Sequence, residues 1–220
     1  MVLSGCSTTK ILKFAKTPDD IVTTSSLKQF LSKNKNPKVV LRVSASSYTV
    51  TEDENIDYLY NAIENQLLAS GFVVRDRQLF NQIIGNDDNN IDYEKLKSKS
   101  DTDLIIELTK LDPQILYETN KYYTGSGEEK VEKYDKEQRY GASIEFKVIL
   151  IESNEFAGIY KLNYTPCVEG CILSKSTAEA IKEARRKKKD ESKGYEGMER
   201  DELEVFIKNA TKQLVAEMRR

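Results

Sequence analysis

The chain of 220 residues contains no histidine and no tryptophan. Histidine is the only side chain whose unperturbed pKa lies near neutrality, so its absence excludes Ser-His-Asp catalysis, Cys-His catalysis and every histidine metal site. An enzyme would have to use carboxylate, lysine or tyrosine chemistry instead. We therefore expect a protein that is not an enzyme and binds no cofactor and no metal. A hydrolase that uses paired carboxylates is the alternative.

Long apolar runs and an excess of one charge are also missing. No stretch of about 18 apolar residues is present, so no segment is expected to cross a bilayer as a helix. The 34 basic and 36 acidic residues give a net charge of −2, which offers no general attraction to nucleic acid. The content of 39% hydrophobic and 32% charged residues is typical of a globular domain with a charged surface.

A four-residue pattern near the start of the chain, Leu3-Ser4-Gly5-Cys6, resembles the lipobox of bacterial lipoproteins. In that family the signal peptide is cut before the cysteine, and the cysteine then carries the lipid. The resemblance implies that residues 1–6 are the remnant of a lipoprotein signal and that Cys6 is lipidated. Ser7 after the cysteine, with no acidic cluster following, implies an anchor in the outer membrane that faces the periplasm. The alternative is an ordinary exposed cysteine in a disordered end.

Residues 7–37 are rich in Ser, Thr, Lys and Asn, and we interpret them as a tether. Ser25 or Ser26 could cap one short helix within this segment. The remainder, residues 38–220, is expected to form a single α+β domain.

Apolar periodicity predicts the elements of this domain. Val39 to Val43 is typical of a buried strand, and apolar residues from Ile56 to Leu67 recur at helical spacing. Gly71 is placed to end that helix in a left-handed conformation. Further strands are expected at residues 104–111, 143–150 and around 160–164, and a final helix near residue 201. A long hairpin excursion is expected at residues 112–141. The prediction is a mixed β-sheet of about five strands packed with α-helices.

The stretch from Lys38 to Thr109 is similar to the CsgG-like lipoproteins in its order of secondary-structure elements and in its local sequence patterns. Two segments carry this likeness. The first is Phe72 to Arg77, a predicted strand that ends in arginine before a short helix, and the second is Asp101 to Glu107, where the next strand begins. The resemblance implies a fold related to the N-terminal domain of TolB. Some members of the family form membrane pores, and a membrane strand needs alternating apolar residues. Residues 131–140 and 178–200 are highly charged, which argues against a pore-forming subunit.

Two cysteines and a group of tyrosines are the remaining candidate sites. Cys167 and Cys171 could form a small disulfide-closed loop in an oxidising compartment, or could remain free thiols. Tyrosine offers a large contact area with a polar tip and is enriched at interfaces, although it also fills sheet faces. We predict that the tyrosines of the excursion contact a partner, which would be another envelope protein, with a homo-oligomer left open. These residues are Tyr117, Tyr122, Tyr123, Tyr134 and Tyr140.

Overall fold

The computed structural model describes residues 10–43, 57–78, 80, 101–173 and 197–220. The described part confirms the predicted α+β class. In chain order its elements are β1 (Ile11–Leu12), β2 (Asp20–Thr23), α1 (Ser25–Lys33), β3 (Lys38–Val43), α2 (Asp57–Ala69), β4 (Val73–Val74), β5 (Leu104–Thr119), β6 (Lys121–Tyr123), β7 (Glu129–Val131), β8 (Glu137–Leu150), β9 (Glu155–Tyr164), β10 (Cys171–Ile172) and α3 (Arg200–Arg219).

The chain divides into two compact units, where the sequence analysis expected one domain. The small-sheet unit combines Met1–Thr17, Gln114–Gly141 and Tyr164–Met198. The large-sheet unit combines Pro18–Pro113, Ala142–Asn163 and Glu199–Arg220.

The large-sheet unit is built on a mixed sheet with the strand order β2-β9-β8-β5-β3-β4. Strand β3 pairs in parallel with both β4 and β5, whereas β2 pairs antiparallel with β9. The sheet therefore has six strands, where about five were expected. The additional strand is β2, an edge strand that comes from the predicted tether. The apolar runs of β3, β5 and β8 are buried, as expected for strands covered on both faces.

Three helices with apolar faces belong to the same unit. Helix α2 buries Leu59, Ile63 and Leu67 at the predicted helical spacing, and it packs against α3. Gly71 follows α2 with a φ of 86°, which confirms the predicted left-handed end of this helix. Helix α1 forms where a short helix was expected, but the predicted cap at Ser25 or Ser26 is wrong. The N-cap is Thr24, whose side chain accepts a hydrogen bond from the amide of Leu27.

A second sheet, with the strand order β10-β1-β6-β7, belongs to the small-sheet unit. All pairings in it are antiparallel. Residues 10–37 thus differ from the predicted tether, since they contribute β1 to this sheet and β2 to the larger one. Both strands are short, so they become strands only by pairing with segments more than 100 residues away.

Strand β5 extends to Thr119, eight residues beyond its predicted end. The excursion predicted at residues 112–141 is therefore largely strand, and β6 and β7 form the hairpin within it. No helix in the described part of the chain is long and apolar enough to cross a membrane.

Candidate partner-binding surface

The register of the four-stranded sheet sorts its side chains onto two faces, because directly opposed residues in antiparallel strands share a face. Ile11 lies opposite both Ile172 and Tyr123, and Tyr123 lies opposite Glu129. Val131 lies two residues beyond Glu129 on the same strand. We call this side, made of Ile11, Lys121, Tyr123, Glu129, Val131 and Ile172, the open face.

The other side of the sheet is the groove face, which carries Lys10, Leu12, Asn120, Tyr122, Lys130, Glu132, Cys171 and Leu173. Lys10 connects three of its strands. The Nζ atom of Lys10 lies 2.8 Å from Oε2 of Glu132 and 4.8 Å from the ring centroid of Tyr122. The carbonyl of Lys10 accepts a hydrogen bond of 2.7 Å from the amide of Leu173. One lysine thus ties β1 to the hairpin on one side and to β10 on the other.

The hydrogen bond to Glu132 raises the pKa of Lys10. The ammonium group therefore remains protonated at neutral pH, and Lys10 can act there as a cation and donor rather than as a base or a nucleophile.

A groove of about 70 Å³ opens on the groove face. Ligand sites for drug-sized molecules have volumes of about 300–1,000 Å³, whereas a water molecule occupies about 30 Å³ of liquid. The groove can thus accept one side chain of a partner, but it is too small to enclose a typical substrate. Its lining combines both signs of charge with one aromatic ring: Lys10, Thr119, Asn120, Lys121, Tyr122, Glu132, Asp135, Glu137 and Leu173.

The open face has its own ion-paired centre on the β6–β7 hairpin. Glu129 accepts hydrogen bonds from Lys121 at 2.8 Å and from the hydroxyl of Tyr123 at 2.9 Å. The hydrogen bond from Lys121, followed by that from Tyr123, lowers the pKa of Glu129. The same contact raises the pKa of Tyr123, which keeps its phenol protonated. Lys13 lies over the outer side of the Tyr123 ring, 5.7 Å from the centroid.

The five predicted tyrosines do not form one patch, because they lie in different environments. Tyr122 lies on the groove face and Tyr123 on the open face, since they are consecutive residues of one strand. Tyr134 follows the hairpin and is 86% exposed. Tyr140 is half-buried in β8 and makes contacts of its own.

Tyr117 has a structural role in the small-sheet unit. Its hydroxyl lies 2.7 Å from Oγ1 of Thr17 and 3.2 Å from Oγ1 of Thr165. Its ring packs edge-on against Phe14 with the centroids 5.7 Å apart. A Cβ atom at Gly141 would lie 2.6 Å from the Tyr117 ring, so the ring needs a glycine beside it. Tyr117 is therefore held inside its unit, and only part of the predicted tyrosine group remains for a partner.

The remaining predicted site residues are the three cysteines. Cys167 and Cys171 are joined by a disulfide in the structure, which closes the turn that leads into β10. Cys6 lies outside the described residues. Sequence reasoning missed Lys10 and Glu132, since they are 122 residues apart and only the pairing of β1 with the hairpin brings them together. No cluster of three or more acidic or cysteine side chains that could hold a metal occurs among the described residues.

Comparisons with known proteins show neither a family nor a curated relative. No family model matches the chain, and no curated protein matches it. Among solved structures, the chain is similar to the PelC dodecamer from Paraburkholderia phytofirmans, with 12% identity over 92% of this chain and 96% of that chain and a TM-score of 0.43. It is also similar to a hemagglutinin homolog from Helicobacter pylori, with 7% identity over 84% of each chain and a TM-score of 0.35.

Proposed function

We propose that this chain is a lipid-anchored subunit of a bacterial cell envelope that binds another envelope protein and is not an enzyme. The lipobox pattern supports an anchor on Cys6, in the outer membrane and facing the periplasm. The resemblance to the CsgG-like lipoproteins remains a prediction, and the proposal does not depend on it.

The observation that carries the binding role is the groove face of the small sheet. Its groove has room for one side chain, and its lining includes lysines, an aromatic ring and carboxylates. Glu132 already holds the side chain of Lys10 at 2.8 Å, and a cation that is fixed before the partner arrives lowers the entropy cost of binding. The exposed ring of Tyr134 follows directly after the hairpin and supplies the kind of anchor that interfaces favour.

The size and chemistry of the groove favour a binding subunit over a carboxylate hydrolase. Glu132 is held by Lys10, and the groove lacks the volume to surround a substrate. Glycosidase-type chemistry needs two carboxyl groups facing each other across a bound substrate. The groove instead suits a side chain that is inserted by another protein.

Photo-crosslinking in the native envelope tests the binding role. A benzoylphenylalanine at position 134 should form an adduct with a second protein. The matched control is the same residue at position 156, an exposed aromatic position in the large-sheet unit. Lys10→Ala should weaken the adduct at position 134, because it removes the residue that joins β1 to the hairpin. Equal adducts at positions 134 and 156 would contradict the proposed surface. An adduct formed only with another copy of the chain would contradict the envelope partner and would indicate self-association instead.

The anchor is tested separately. Mass spectrometry of the protein recovered from membranes should show acyl chains on Cys6, and Cys6→Ser should release the protein into the soluble fraction. An unmodified Cys6 in membrane-bound protein would refute the lipid anchor.

A further inference from the structure

We propose that the open face of the small sheet lies on the membrane surface and contacts anionic lipid headgroups through Lys13 and Lys121, with Val131 and Ile172 at the level of the acyl boundary. This inference rests on the proposed lipid anchor. It concerns the side of the sheet opposite to the partner-binding groove.

Cys6 and the first strand of the small sheet are close together along the chain. Only residues 7–10 separate Cys6 from the start of β1 at Ile11. Five residue steps span at most about 18 Å, whatever conformation they adopt. A lipid on Cys6 would therefore hold β1 close to the bilayer, and the neighbouring strands lie only about 4.8 Å to either side of it. The anchor leaves no length for the small sheet to stand far from the membrane.

The open face exposes apolar side chains. Ile172 is 67% exposed and Val131 is 61% exposed, although both belong to strands. Ile11 and the ring of Tyr123 lie between them on the same face. Tyrosine is enriched at membrane interfaces, where its ring meets the acyl boundary and its hydroxyl meets the headgroups. Isoleucine and valine around such a ring form the apolar side of an interfacial surface.

The charged residues that follow Cys6 most closely in the sequence are all basic. Lys10, Lys13 and Lys16 are the charged residues of the first 18 positions, and no acidic residue occurs before Asp19. Lys13 is exposed and lies over the Tyr123 ring of the open face. Lys121 on the same face has an exposed side chain, and its ion pair with Glu129 balances the charge of that carboxylate. Lys13 therefore gives the open face a net positive charge, which is attracted to a surface of opposite charge.

Spin-label accessibility on the lipidated, full-length protein tests this inference. When Cys6 is acylated and Cys167 is joined to Cys171, a single introduced cysteine is the only free thiol, since the chain has three cysteines. The label is placed by Val131→Cys on the open face. The matched control is Lys130→Cys, the preceding residue of the same strand, which lies on the groove face. Both proteins are placed in vesicles of phosphatidylethanolamine with phosphatidylglycerol as the anionic lipid.

Collisions with oxygen, which concentrates in lipid, and with a water-soluble nickel complex are then measured for each label. We expect the label at position 131 to collide more with oxygen and several-fold less with nickel than the label at position 130. Equal access to nickel at both positions would overturn the inference. A fall in both kinds of collision at position 131 would also overturn it, because that pattern indicates burial against another protein copy.

The contribution of the Lys13 charge to membrane binding is measured separately. In the Cys6→Ser background, Lys13→Gln should weaken binding to the anionic vesicles about fivefold, which is the effect expected of one lysine near such a surface. Lys208→Gln, on helix α3 of the large-sheet unit, is the control and should leave binding unchanged. If both variants bind equally well, the headgroup contact is refuted. Mass spectrometry of Cys6 in the protein that retains this cysteine shows separately whether the lipid anchor is present.

Discussion

The ion pair between Arg42 and Glu107 provides the strongest stability prediction in the large-sheet unit. The two residues are register partners on the parallel strands β3 and β5, and Nη1 of Arg42 lies 3.2 Å from Oε1 of Glu107. Their side chains are only 10% and 11% exposed. Removing one partner of a buried pair leaves a charge without compensation and costs about 3–5 kcal/mol. We expect this loss for Arg42→Met, with a fall in melting temperature on the order of 10 °C.

An exposed pair provides the control for the role of burial. Lys208 and Glu204 on helix α3 lie closer, at 2.6 Å, but their side chains are 49% and 37% exposed. Exposed pairs contribute only about 0–1 kcal/mol. Lys208→Met should therefore change stability little, although its contact is the shorter of the two. A double variant, Arg42→Met with Glu107→Leu, should be more stable than Arg42→Met alone, because Glu107 is then no longer a buried carboxylate that has lost Arg42.

Urea unfolding followed by far-ultraviolet circular dichroism in the Cys6→Ser background is a suitable assay, since the chain lacks tryptophan. Amide exchange in β3 and β5 would report the same loss locally. The role of burial is refuted if Lys208→Met costs as much as Arg42→Met. It is also refuted if the double variant loses the sum of the stabilities lost by Arg42→Met alone and by Glu107→Leu alone.

Three further predictions concern the small-sheet unit. Tyr117→Phe should lower stability by about 1 kcal/mol, because two threonine hydroxyls lose their hydrogen bonds to the Tyr117 hydroxyl, whereas Tyr134→Phe should change the melting temperature little. The lowered pKa of Glu129 gives a stabilising contribution that is present above the ordinary carboxyl pKa and is lost as the pH falls through the lowered value. Amide protection of the β6–β7 hairpin should therefore decrease only in acid, and Glu129→Gln should remove that pH dependence. Gly170→Ala should destabilise by at least about 1–2 kcal/mol and increase amide exchange in β10, because φ is 106° and the new Cβ would lie 2.9 Å from Ile11.

Elements whose own sequence shows a strong period were predictable. Strand β3 contains the apolar run of residues 39–41, and β8 alternates between buried and less buried positions over residues 144–148, so local patterning is enough to identify them. Helix α2 and the left-handed Gly71 follow from helical spacing and from the conformational freedom of glycine. In these cases the information lies within one segment of the chain.

The small sheet could not be predicted, since its strands have two or three residues each and no period. Strand β1 exists because β10 and β6 supply its hydrogen-bond partners, and those partners are over 100 residues away in sequence. Contacts between distant segments also explain why the tyrosine prediction did not distinguish Tyr117 from the exposed tyrosines. The crowding of tyrosines is visible in sequence, but the contacts that hold Tyr117 come from Phe14, Thr17 and Thr165, which only the fold brings beside it.

Side chains alternate between the two faces of a strand, so the three-residue strand β6 contributes to both proposed surfaces. Tyr122 and Tyr123 are consecutive, so one ring belongs to the groove and the other to the open face. A shift of one residue in the pairing of β6 with β7 would exchange the two faces and would separate Glu129 from Tyr123 and Lys121. The ion pair between Lys10 and Glu132 on one face and the Lys121–Glu129–Tyr123 group on the other both oppose such a shift. In the proposed arrangement, these contacts keep the groove turned away from the membrane, so that a protein partner can reach it while the lipid holds the opposite face.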